Sequence, residues 1–320
     1  MYGPLRIGTR GSKLALWQAR RVEEQLKTRY GSKLSIELQI IKTSGDKDQQ
    51  KPFINFKGKG VFIKELDRAV LDGRVHCAVH SLKDCRTTLE EGLELGAVLE
   101  RDWQEDVLVA EQPITIRDLP KESRIGTGSL RRRSQILSLR SDLEVVPIRG
   151  NIETRLKKLK TELLDALVMA AAGLHRMGYE NYIRYTFPVE EMVPAVGQGV
   201  IGVVVRKYDE EVISLLERVN HVETHAAISA ERECLRTLGG GCQVPIGVHA
   251  VCSSGRITVT GRIIGLDGSE KVEKTLKGKI EEAENIGRRL AVHMKMAGGD
   301  ELLAKIRRLM LVEGSNIWKI

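Results

Sequence analysis

Short apolar runs alternate with segments of helical periodicity through the first two-thirds of this chain, and that alternation restricts the fold more than any other feature. Leu5–Ile7, Leu34–Ile41, Val75–Val79, Asp106–Ala110, Arg124–Ile125, Val145–Ile148, Ala166–Met169 and Ile201–Val205 read as strands. Leu14–Leu26 and Phe62–Asp72 read as amphipathic helices, and further helices are expected to begin near Leu130, Asn151, Ala170 and Asp209. Strands separated by helices predict α/β layers, in which ligands sit beyond the C-terminal ends of the strands. After about Asn220 the pattern changes to a helix over Thr224–Thr237, strands at Ile246–Val251 and Arg256–Leu266, and helices at Glu281–Met296 and Asp300–Leu309. That order predicts a separate α+β unit beginning near 218–222. No low-complexity linker marks a further split near 100 or 200.

Charge narrows the choice of partner. Lys and Arg outnumber Asp and Glu by 51 to 43, a net +8 that favours an anionic partner. Aromatic residues make up only 4% of the chain, so a nucleic-acid surface would be short of rings to stack bases on. The five cysteines are widely spaced and form no C-x-x-C pair, which argues against a zinc site and a disulfide framework. The N-terminus lacks the apolar core of a secretory signal, and no apolar run approaches the roughly 18 residues of a membrane span. The expectation is a cytoplasmic protein, with no metal, no membrane and no nucleic acid among its partners.

Strand ends running into small residues and then cations carry the chemistry. Gly126, Thr127, Gly128 and Ser129 follow a strand and precede Arg131, Arg132 and Arg133. Backbone N–H groups at a helix start can approach an anion there, and guanidinium groups add charge-assisted bonds. The bland alternative is a solvated helix start, but three like charges at a positive helix end disfavour it unless an anion is present. The pattern recurs in Gly8-Thr9-Arg10-Gly11-Ser12 and in Arg149-Gly150-Asn151, with Arg155 one turn beyond Asn151; Arg176 follows another strand–helix junction. No loop spells G-x-G-x-x-G or a Walker motif, and Lys57-Gly58-Lys59-Gly60 reads as a mobile loop. His80-Ser81-Leu82-Lys83-Asp84 comes directly after a strand, where Asp84 either stabilises a cationic intermediate or moves a proton, or else caps a turn or pairs with Lys83. Cys242 follows Gly239-Gly240-Gly241, which clears space for a covalent anchor, or else forms a loop tip of no function. Cys77, Cys234 and Cys252 read as packing cysteines.

Thr9–Gln18, Lys59–Leu66, Ala78–Asp84, Gly126–Arg132, Arg149–Asn151, Pro194–Gly199 and Gly240–Gly247, in that order, resemble the hydroxymethylbilane synthase (porphobilinogen deaminase) family. The resemblance implies three domains, the first two of the type II periplasmic-binding-protein kind and the third a small α+β domain. Their expected extents are 1–99 plus 200–218, 100–199 and 219–320. It further implies a dipyrromethane cofactor on the Cys242 sulfur, to which four porphobilinogens are added with loss of ammonia before water releases the product. Porphobilinogen and the polypyrrole intermediates, rich in carboxylates, supply the expected anion, and a monomer is implied. Asp84 is similar to the family's catalytic aspartate, which stabilises the cationic azafulvene. Lys83, Ser129, Arg131, Arg132, Arg155 and Thr127 match cofactor-binding positions. Arg10, Ser12, Gln18, Arg149, Arg155, Arg176 and Gln198 match substrate-binding ones. Two departures stand out: Cys85-Arg86 replaces the family's usual Val-Pro, and Asp102-Trp103-Gln104-Glu105-Asp106 replaces Asp-Pro-Arg-Asp. The competing reading is a non-catalytic anion-binding protein of the periplasmic-binding type, which has no need of Cys242; an RNA-binding protein accounts for the charge but not for the few aromatics.

Asp84→Ala is expected to keep the fold and lose turnover. Normal product formation by that variant, followed by porphobilinogen consumption, rules the assigned role out.

Overall fold

Strands that read as unbroken apolar runs need cover on both faces, and in the computed structural model, which describes residues 3–43, 63–241 and 244–319, they lie inside two sheets. The first sheet contains Leu5–Thr9 (β1), Ile36–Ile40 (β2), Cys77–Ser81 (β3) and Leu93–Val98 (β4), with Ile201–Arg206 (β10) inserted between β3 and β4. Strand β1 runs parallel to β2 and β3, whereas β10 is antiparallel to both of its neighbours. Ile7, Val79, Val203 and Val205 of this sheet are buried against Ala19, Val22 and Leu26 of the helix Lys13–Tyr30. Each such aliphatic side chain contributes about 1.5–3 kcal/mol on burial.

The second sheet repeats the plan. Asp106–Val109 (β5) lies between Ala166–Ala170 (β8) and Ile183–Thr186 (β9), while Arg124–Thr127 (β6) and Glu144–Pro147 (β7) complete the order β7-β6-β8-β5-β9. Here β6 is parallel to β7 and β8, and β5 is the antiparallel strand. The third sheet is an antiparallel meander of Ile246–Ser253 (β11), Arg256–Ile264 (β12) and Lys271–Lys279 (β13). Leu235, Val248, Val259, Leu290 and Leu303 join it to the helices Val222–Thr237, Ala283–Met294 and Asp300–Glu313 in one core. The fold is therefore α/β with a small α+β unit, as the sequence pattern predicts.

Periodicity does not reveal β4, β9 or β13, and each of these strands lies at the edge of its sheet. The helix expected over Glu281–Met296 starts instead at Ala283 and gives way to a π turn at Lys295–Gly299, where Gly298 takes a φ of 93°. Of the helix expected over Phe62–Asp72, Lys64–Leu71 is formed, and Phe62 lies outside the described residues.

The chain passes between the first two sheets twice, at 99–105 and at 187–200. The two passages touch: the Asp102 amide donates to the Gly199 carbonyl at 3.3 Å. A Cβ on Gly199, whose φ is +83°, would stand 2.3 Å from the Asp102 carbonyl oxygen. Glu231, fully buried on the helix Val222–Thr237, fastens both passages to the third unit. It accepts from Arg101 Nη2 at 2.7 Å, the Gly197 amide at 2.8 Å and the Ala250 amide at 2.9 Å.

Removing one member of a buried ion pair leaves the other without compensation, at a cost of about 3–5 kcal/mol. Glu231→Ala is accordingly expected to lose about that much stability in urea unfolding followed by circular dichroism; a loss under about 1 kcal/mol would mean that Arg101 finds another partner.

Candidate functional site

The same local chemistry ends several of the strands. Ser12 caps the helix Lys13–Tyr30, its hydroxyl accepting the Ala15 amide at 3.3 Å. Ser129 caps Leu130–Leu139 by accepting the Arg132 amide at 3.4 Å, and Asn151 caps Ile152–Thr161 by accepting the Thr154 amide at 2.8 Å. A side-chain oxygen at each position satisfies an N–H that the helix cannot. Strand β3 runs instead into a tight 3-10 turn, Leu82–Asp84, which leaves Asp84 exposed. Buried Gln18 steadies the strand end by donating to Ser81 Oγ at 2.7 Å.

The arginine run of the second sheet is not a solvated helix start. Arg131, Arg132 and Arg133 are all buried. The anion that the sequence seemed to demand is in part internal: Arg131 Nη1 donates to Asp106 Oδ2 at 2.6 Å, and Arg132 Nε donates to Asp106 Oδ1 at 2.8 Å. Buried Gln198 adds a bond to Asp106 Oδ1 at 2.9 Å and accepts from Arg132 Nη2 at 3.3 Å. Burial alone would raise the Asp106 carboxyl, but Arg131 and Arg132 overcome it and hold the group well below the usual carboxylate range. Arg133 turns away and donates to the Leu266 carbonyl of the third unit.

Charges from both sheets act on one another around Asp84. Half-buried Lys83 is brought down to about 8 by burial and then by Arg132, against the pull of Asp84. Arg155 is brought down to about 10 by burial, then by Arg132 and Arg149, again opposed by Asp84. Its Nε donates to the Gly150 carbonyl at 2.9 Å, which turns the guanidinium back toward the strand end. Arg176, buried, reaches the Gly199 carbonyl at 2.7 Å and lies 5.5 Å from the Trp17 ring. Arg10, at the end of β1, is after burial the charge that depresses buried His80 of β3, to about 4. His80 stands 4.0 Å from buried Asp67, a structural place rather than a catalytic one. Cations therefore outnumber carboxylates in this field, which suits a ligand carrying several negative charges.

Thr127, fully buried at the end of β6, accepts the Ser129 amide at 3.4 Å. Cys242 and the Lys57–Gly60 loop lie outside the described residues. The glycines before Cys242 do specific work: Gly239 has a φ of +64°, and a Cβ on Gly240 would stand 2.5 Å from Leu235 Cδ1. Of the remaining cysteines, Cys77, Cys85 and Cys234 are buried and Cys252 is half-buried; burial pushes the Cys77 and Cys234 thiols up to about 12. Asp106 is the site residue that sequence reasoning missed. It reads only as a polar strand start, and its arginine partners stand some 25 residues away in the chain; the demand of three adjacent arginines for an anion is the signal that points to it.

Comparisons with known proteins identify the family. The family profile described as "Porphobilinogen deaminase, dipyromethane cofactor binding domain" matches residues 5–214, and that described as "Porphobilinogen deaminase, C-terminal domain" matches residues 225–296. The porphobilinogen deaminase of Syntrophobacter fumaroxidans is 44% identical over 95% of this chain and 98% of its own length. That of Geobacter metallireducens is 44% identical over 94% of each chain, and that of Lawsonia intracellularis is 41% identical over 95% of this chain and 98% of its own.

Asp106→Asn should cost about 3–5 kcal/mol at neutral pH, because two buried guanidinium groups lose their carboxylate. A depressed folded value means that the carboxylate's contribution is complete above its unfolded value near 3.8 and is lost as pH falls below it. The gap between parent and variant in denaturant titrations should thus narrow below that pH; a gap that does not vary with pH would contradict the assignment.

Proposed function

Because this chain belongs to the porphobilinogen deaminase family, we propose that its cleft holds a growing acidic pyrrole chain tethered at Cys242 while Asp84 serves each condensation. The activity is that of a hydroxymethylbilane synthase, a transferase of tetrapyrrole biosynthesis. Four porphobilinogens are joined head to tail with release of ammonia, and water then frees hydroxymethylbilane. The cofactor is dipyrromethane, whose binding domain the matched segment 5–214 is. When bound, it supplies the pyrrole carbon to which the first substrate is joined.

One observation carries the residue assignments: the field in which Asp84 acts on Lys83 of its own turn and on Arg132 and Arg155 of the helices that pack with the second sheet. Those cations, with Thr127, Ser129 and Arg131, would hold the cofactor's carboxylates. Asp106 orients the guanidinium groups of Arg131 and Arg132 beforehand, so they need not reorganise when an anion arrives. Arg10, Ser12, Gln18, Arg149, Arg155, Arg176 and Gln198 would bind substrate carboxylates or support the groups that do. Asp84, exposed at the tip of its turn, would accept pyrrole N–H bonds, assist ammonia departure and stabilise the positive charge that develops. Arginine forks match carboxylates two bonds at a time, which fixes the register of each ring.

The proposal divides the chain into 1–99 plus 200–218, 100–199 and 219–320. Each of the first two extents takes in one sheet with its single antiparallel strand, β10 in the first and β5 in the second. Among the described residues no helix is long and apolar enough to cross a membrane; a cytoplasmic monomer is the proposed state. Anion binding without catalysis is the less favoured reading, because family membership extends over the cofactor-binding and C-terminal segments alike.

Intact-mass measurement of the purified protein tests the tether. The parent should exceed its polypeptide mass by two linked pyrroles, Cys242→Ser should not, and only the parent should consume porphobilinogen with release of ammonia. An increment that persists in the serine variant moves the attachment elsewhere.

A further inference from the structure

The helix Val222–Thr237 belongs to the third unit, yet it grips the turn that carries Asp84. Ile228 is buried in one cluster with Leu82 and Cys85, which flank Lys83 and Asp84. Arg232 lies one turn further along the same face. Its Nη2 donates to the Arg86 carbonyl at 2.6 Å and the Thr87 carbonyl at 3.0 Å, immediately beyond the turn. Glu231, beside it, holds the Gly197 amide at 2.8 Å, and Gly197 lies against the turn from below. A Cβ on Gly197 would stand 3.1 Å from both the Leu82 carbonyl carbon and the Lys83 nitrogen.

The Cys85 amide closes the turn on the Leu82 carbonyl at 3.0 Å, and the Leu82 amide is held by the Val200 carbonyl at 3.0 Å. Beyond them, Cys85-Arg86 supplies no proline ring to fix the backbone. A guanidinium bonded to two successive carbonyls fixes it instead. Arg236, one turn on, is turned to Glu233 of its own helix, with Nε donating at 2.7 Å. The same helix ends at Thr237, just before the glycines that lead to Cys242.

We infer that Arg232 is a positioning residue for the condensation: from a helix of the third unit it sets the turn that carries Asp84. The inference rests on the reading of Asp84 given above. Misplacing a reacting group by about 1 Å can cost on the order of a hundredfold. Arg232→Met keeps the stem and removes the fork; its kcat should fall about 10- to 100-fold while KM for porphobilinogen stays within about twofold and the intact mass still carries both cofactor rings. Arg232→Lys, which can reach one carbonyl, should recover part of the loss. Arg236→Met should match the parent. In an Asp84→Glu background, where the carboxylate is already displaced, Arg232→Met should cost far less than in the parent. Parental kcat in folded Arg232→Met, or in Arg232→Gln should the methionine variant not fold, overturns the inference, as does an equal proportional loss in both backgrounds. Full activity of Asp84→Glu and Asp84→Asn alike would instead sink the role of Asp84 itself.

Discussion

One buried carboxylate makes the basic cleft possible. Like charges cannot be packed together away from water without an anion among them, and Asp106 is that anion, drawing Arg131, Arg132 and Gln198 onto its two oxygens. The result is a fixed positive surface rather than a set of loose arginines. Its charge is not cancelled, since Lys83, Arg149 and Arg155 lie in the same field, opposed by Asp84. A substrate with an acetate and a propionate on every ring would complete the balance, which is why the family's chemistry and this electrostatic design belong together.

The third unit is more than a carrier for the tether loop. Through Glu231 it joins both passages between the sheets, through Arg133 it receives the end of the arginine run at Leu266, and through Arg262 it holds the carbonyls of Glu190 and Glu191 at 2.6 and 2.8 Å. Apart from the ion pair between Glu231 and Arg101, each of these contacts sets a charged side chain on a backbone partner. Such bonds tolerate substitution of the side chains that surround them, because they recognise the fold of the main chain and not its sequence.

What the sequence pattern revealed follows burial. Strands β1, β3, β8 and β10 are covered on both faces and announce themselves as apolar runs. Strand β13, with Lys271, Lys274, Lys277 and Lys279 exposed, has one wet face and a free edge, so nothing in its composition separates it from a surface loop. The same holds more weakly for β9, which is only four residues long. In the site, the strand-end glycines and cations were legible because helix starts bind anions by a local rule. Asp106 and Arg232 were not, because their partners are set by tertiary contacts that no spacing encodes.

The return of β10 to the first sheet has a consequence for how the chain matures. In the first sheet β3 and β4 do not pair directly; both depend on β10, which comes from residues 201–206. During synthesis the N-terminal half therefore emerges with a gap in its middle, and the gap closes only after the whole second sheet has been made. Non-local pairing of this kind is slow and leaves unsatisfied strand edges exposed meanwhile. The nascent enzyme spends its most vulnerable interval with half of its future cleft waiting on a strand not yet translated.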